Sequence, residues 1–186
     1  MVEREPNAEL MIRWDLPRRD LGLLKTLLQG GVGIRGRTGT SVRDFLVGAL
    51  GVSARYIDTD LQTVFVDSHP VDDLDTTPVA NGCTLALSGA MPGLAGATMR
   101  RGGALAGMRG GITESGDIGR RPVSDAGIVR LKLFNKPLSD LAESLTARPL
   151  GIPSTAFSEP RLRDLVSAET LAGAGEFIWL EVHLVE

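Results

Sequence analysis

VFVDSHPVDDLDTTPVANGCTLALSGAMPGL, from Val64 to Leu94, is the stretch whose reading decides the fold. Val64 and Val66 belong to an extended run that a turn at Asp67 to His69 ends. Pro70 and Val71 lead into a polar crossover through Asp72, Asp73 and Asp75 to Pro78. Asn81-Gly82 is a tight-turn dipeptide, because both residues tolerate positive φ. Beyond it Cys83, Leu85 and Leu87 alternate with Thr84, Ala86 and Ser88, the pattern of a strand with one buried face. Cys83 shares that face with two leucines, so its thiol reads as buried and inert.

Upstream, Glu9 to Leu16 is a short apolar-rich strand ended by Pro17. Leu21, Leu24 and Leu28 fall at helical spacing, which predicts an amphipathic helix from Asp20 to Gln29, with Asp20 as its cap and Gly30-Gly31 as its stop. Gly31-Val-Gly33-Ile-Arg-Gly36 has the spelling of a dinucleotide-binding loop, but such a loop follows a strand and this one follows a helix. The stretch therefore reads as a flexible or hairpin-like connector, with Arg35 and Arg37 as candidate ligands for a small anion. Ser41 and Asp44 open a second helix with a capping box, and Val42, Phe45, Leu46 and Leu50 give it one apolar face. Arg55 to Asp60 and Gln62 to Val66 read as extended, separated by a polar turn around Asp58 to Asp60.

Downstream lies the sharpest change of composition, a Gly/Ala/Met/Arg stretch from Ser88 to Arg121. It contains Met99-Arg-Arg-Gly102-Gly103 and a partial repeat, Met108-Arg-Gly110-Gly111. Arginines 100, 101, 109, 120 and 121 outnumber Glu114 and Asp117, so the stretch is locally basic and Arg100, Arg101 and Arg109 are candidate anion ligands. It holds no aromatic residue on which a base could stack, so nucleic acid is not an expected partner. As a whole it reads as a mobile, solvated connector. In the last third, Ile128 to Asn135 alternates as a strand, a helix runs from Pro137 to about Arg148, Ser158 caps a further helix, and Phe177 to Val185 is a final strand.

At 186 residues and a net charge of −3, the chain has no overall attraction for nucleic acid or an anionic membrane. A single cysteine excludes an internal disulfide, and the charged N-terminus lacks a signal-peptide core, so a cytoplasmic protein without membrane segments is expected. His69 and His183 are the only histidines and neither has a partner at metal spacing, so no metal or other cofactor is expected. Asp67, Asp72, Asp73 and Asp75 beside His69 offer a weak cation or proton-transfer turn, or simply a hydrophilic one. No nucleophile-elbow or Walker spelling occurs.

Taken together, Thr40 to Gly96 resembles the β-grasp, ubiquitin-like sulfur carriers of molybdopterin and thiamin synthesis. The likeness rests on the helix TSVRDFLVGALGV, the strand and turn QTVFVDSHPV, the crossover LDTTPVANG and the strand CTLALSGAMPG. Asn81-Gly82-Cys83 stands where the family usually has Asp-Gly-Asp. The resemblance implies a β-grasp domain, over residues 1–96; with a connector over 97–124 and an appended strand-helix-helix-strand region over 125–186, expected to extend the sheet of the first half or to bury its open face against another copy, the expected fold is α+β. Those carriers act through a terminal Gly-Gly carboxylate, whereas Gly103 and Gly111 are internal and the chain runs on to Glu186. The leading expectation is thus a non-enzymatic binding module that acts through a protein partner or a second copy. One alternative is a carrier or modifier with Gly102-Gly103 or Gly110-Gly111 exposed by cleavage; another is a small-anion binder or enzyme using the Arg/Gly loops.

Overall fold

Alternating burial builds β1 (Met11–Pro17), which sends Trp14 and Leu16 inward and leaves Arg13 and Asp15 in water. The computed structural model describes residues 11–109 and 124–186. Seven further strands follow: β2 (Val32–Thr38), β3 (Thr63–Val66), β4 (His69–Pro70), β5 (Thr84–Ser88), β6 (Ser124–Phe134), β7 (Leu150–Pro153) and β8 (Phe177–Val185). Together they form one sheet in the order β1-β8-β7-β2-β6-β5-β3-β4. The pairs β1/β8 and β5/β6 are parallel and the other pairs antiparallel. The helices are α1 (Leu21–Gly30), α2 (Val42–Gly48), α3 (Ala54–Thr59), α4 (Gly93–Met99), α5 (Asn135–Leu141), α6 (Pro160–Arg163) and α7 (Ala168–Ala172), so the described fold is α+β. None of these helices is long and apolar enough to cross a membrane.

Register decides which residues make the core. Val66, Leu85, Leu131 and Val32 are paired in succession across four strands, and Val64, Leu87 and Leu133 across three; all seven are buried. Ile34 and Val129 extend the same face, against which Leu24 and Leu28 of α1 and Phe45 and Leu46 of α2 are packed. The opposite face carries the row Thr84, Arg130, Gly33, Gly151, Trp179 and Met11.

The turn between β3 and β4 puts Asp67 at φ 48° and Ser68 at φ 70°, the two positive values that a two-residue hairpin with the sheet's twist requires. The crossover then wraps the start of α2. The Val42 N–H donates to the Thr77 carbonyl and the Arg43 N–H to that of Leu74, while Leu74 and Val79 are buried. Ser41 caps α2 by accepting from the Asp44 N–H at 3.1 Å, as its sequence predicts.

Several expectations are corrected. Gly31 to Gly36 is no connector: all but Gly31 belong to β2. Each of its glycines is dictated by packing, since a Cβ at Gly36 would lie 2.7 Å from Ala49 Cβ and one at Gly33 would lie 3.2 Å from the Phe177 ring. Arg55 to Asp60 is not extended. Ser53 accepts from the Tyr56 N–H at 3.2 Å and starts α3, whose burial of Ile57 outweighs the strand preference of Tyr56 and Ile57. Asp20 makes no capping bond and instead faces Arg161 at 3.6 Å. The helix expected to reach Arg148 stops at Leu141 and continues as a 3-10 turn over Ser144–Ala147. Ser158 ends a 3-10 turn rather than capping a helix, and Pro160 begins α6. β7 was not expected. In the architecture, β6 lies between β2 and β5, so strands from both halves of the chain alternate in one sheet.

Candidate functional site

Gly33 of β2 and Gly151 of β7 pair directly and leave a hollow on the face opposite the core. A Cβ on Gly151 would stand 3.1 Å from the Gly33 Cα, so neither strand tolerates a side chain at this crossing. Phe177 from β8 lays its ring in the hollow. The Arg130 guanidinium lies 5.0 Å from the centre of that ring, and Trp179 follows at 6.3 Å between ring centres. Arg35 stacks over Trp179 at 3.7 Å, so four side chains from three strands form a row in the order Arg130, Phe177, Trp179, Arg35.

Beside this row a cleft of about 750 Å³ opens toward α7 and the loop Gly173 to Glu176. Arg130 forms an ion pair with Glu176 at its edge. Sequence reasoning found Arg35 but not Arg130, Glu176, Phe177 or Trp179. The available signal was the pair of aromatics two residues apart in β8, on the side of the strand that also bears Glu181 and His183. Arg37, exposed and 3.3 Å from Asp125, lines a second cleft together with Arg35.

The other candidate arginines lie beyond β4 and do a different job. Arg109, only 2% exposed, donates from Nη2 to Asp72 Oδ1 at 2.7 Å and to the Arg100 carbonyl at 3.2 Å. The Gly102 N–H donates to the same Asp72 oxygen at 3.0 Å, and the Arg101 N–H donates to the Gln62 carbonyl at 2.7 Å. Arg101 Nη2 reaches the Ile57 carbonyl at 2.9 Å. Burial, and then repulsion from Arg43, lower the pKa of Arg101 from its ordinary value. Arg43 itself binds Asp58 at 2.9 Å and Asp75 at 2.6 Å, contacts that raise its pKa. These arginines thus fasten residues 100–109 onto the edge of the sheet and the end of α3. Gly102 adopts φ +61°, and the Gly103 carbonyl accepts from the Ala106 N–H at 2.9 Å, so this Gly-Gly lies in a turn and not in an extended tail. Gly110, Gly111, Glu114, Asp117, Arg120 and Arg121 lie outside the described residues.

The aspartates around His69 have other engagements. Asp67 accepts from the Thr84 N–H, Asp72 from Arg109, Asp75 from Arg43, and Asp73 from the Thr76 hydroxyl and the Asp75 N–H. Among the described residues no three metal-ligating side chains cluster. Elsewhere, Tyr56 donates its hydroxyl to Asp140 at 2.8 Å and Lys136 bridges Asp140 and Asp60, a polar clasp between α3 and α5. Cys83 is buried. No family model matches the chain, and no curated protein or solved structure matches it.

Proposed function

We propose that this protein is a non-enzymatic binding module with a β-grasp-like core, acting through a protein partner or through association with a second copy. The observation that carries this reading is the presentation of α4 and the 3-10 turn Ala106–Arg109. Asp72, Arg101 and Arg109 fix this segment, while Leu94 and Met108 remain 69% and 71% exposed upon it. Exposed apolar side chains on a segment fastened to the sheet offer contacts to a partner, and methionine suits such contacts because its unbranched thioether adapts to what it meets. The β-grasp part of the reading is supported by the sheet packed against α2 and by the crossover wrapped around that helix's start.

The test places a photo-cross-linking amino acid at Met108 in the intact chain, in its own cells. The expected result is a discrete adduct, with a partner or with a second copy, that disappears when Leu94→Asp is added. A chain that stays monomeric and yields no adduct overturns the reading.

The alternative, a carrier or modifier released by cleavage, draws on the Arg-Gly-Gly spelling at Arg101 to Gly103. It requires the Asp72 clamp to open, because a protease needs an extended substrate. It also requires the product to keep β6, which lies beyond the cut. Intact-mass analysis of native protein decides it: a species ending at Gly103 or Gly111 with a thiocarboxylate or conjugate supports the alternative, and an uncut chain removes it.

A further inference from the structure

We propose that the cleft between β8 and α7 binds a small aromatic monocarboxylic acid, with its carboxylate on Arg130 and its ring against Phe177 and Ile128. The site is distinct from the apolar surface of Leu94 and Met108 and uses other elements. Its volume of about 750 Å³ lies within the range of roughly 300–1,000 Å³ usual for small-molecule sites. Ile128, Phe177, Ile178 and Trp179 give it an apolar wall, and Arg130 is the cation among the described residues that line it. A flat apolar wall with a guanidinium at its rim complements a ring that carries one planar anion, since a carboxylate meets the guanidinium fork edge-on.

The ion pair between Arg130 and Glu176 shows which group this guanidinium accepts. The Glu176 side chain is 65% exposed and that of Arg130 28%, so the protein's own carboxylate occupies the anion position from the solvent side. An incoming carboxylate can replace it at small cost: Arg130 keeps an ion pair, and the Glu176 side chain, already largely exposed, turns into water. Glu169 also lines the cleft and repels a second negative charge, which favours a monocarboxylate over a phosphate monoester.

The test is calorimetric titration of the intact chain with 2-naphthoate, using 2-naphthol, acetate and phenyl phosphate as controls. The expected result is saturable binding of 2-naphthoate with Kd below about 1 mM, and at least tenfold weaker binding of each control. The Trp179 indole N–H resonance should shift on binding, while that of Trp14, on the core face, should not. Glu176→Gln removes the competing carboxylate and should tighten binding about three- to tenfold. Arg130→Gln should weaken it tenfold or more. Because Arg130 is part of the sheet, the exposed Glu176 variant carries the decisive comparison. No saturable binding, a Glu176→Gln affinity no tighter than that of the unaltered chain, or equal binding of 2-naphthol overturns the proposal.

Discussion

Tyr56 is the only tyrosine of the chain, so phenolate absorbance reports it alone. Burial, and then the hydrogen bond to Asp140, raise its pKa well above the ordinary phenol value. A spectrophotometric titration should therefore show no phenolate through the usual range near about pH 10, and Asp140→Asn should bring the transition down. The sign for stability follows: the unfolded phenol ionises first, so this contribution is complete below about pH 10 and is lost as pH rises through the folded-state value. Asp140 behaves oppositely. Its pKa is lowered by Lys136 and then by Tyr56, so its contribution is present at neutral pH and drains away as pH falls from about 4 downward. Denaturant midpoints across acid pH should fall less steeply for Asp140→Asn than for the unaltered chain. At the clamp, Asp72→Asn removes one carboxylate partner of the buried Arg109. Because Asp72 is half exposed, the expected loss is about 1–2 kcal/mol, discounted from the value for a fully buried pair. Limited trypsin digestion should then cut at Arg100 and Arg101 sooner than in the unaltered chain.

At the scale of elements, glycine separates a packing requirement from a conformational one. Gly36→Ala drives a Cβ into Ala49 and Phe45 of α2 and should destabilise by about 1–3 kcal/mol, whereas Gly22→Ala in α1 meets nothing within 4 Å and should stabilise by about 0.5–1 kcal/mol. Chemical denaturation of the two variants measures both signs. The same glycines explain what could and could not be seen beforehand. β5 and α2 were legible because Leu85 and Leu87, and Val42, Phe45 and Leu46, repeat at the period of their own element. β2 is hidden because Gly33 and Gly36 erase the alternation that marks a strand; the reason for Gly36 lies in the neighbouring α2 and that for Gly33 in β8, far away in sequence. α3 reads as extended from sequence because a serine cap and one buried isoleucine are weak local signals beside Tyr56-Ile57. β7 is four residues long with Gly151 and Pro153 among them, and its pairing is a tertiary fact. The cleft was hidden for the same reason: Arg130, Glu176 and Phe177 meet only once β6 and β8 share a sheet.

At the scale of the whole molecule, the insertion of β6 between β2 and β5 makes the two halves mutually dependent. Val32 pairs with Leu131 and Leu85 with the same residue, so removing β6 strips the core row of its middle member. A fragment covering residues 1–109 should accordingly lack a cooperative thermal transition by circular dichroism, and adding a fragment covering residues 124–186 should restore one. The order of synthesis gives this arrangement a cost in time. Until β6 is made, β2 and β5 have bare inner edges, and no local contact can close the gap between them. The nascent N-terminal half must wait for residues 89–134 to leave the exit tunnel before its central partner is complete, and during that interval its unpaired strand edges are open to neighbouring chains.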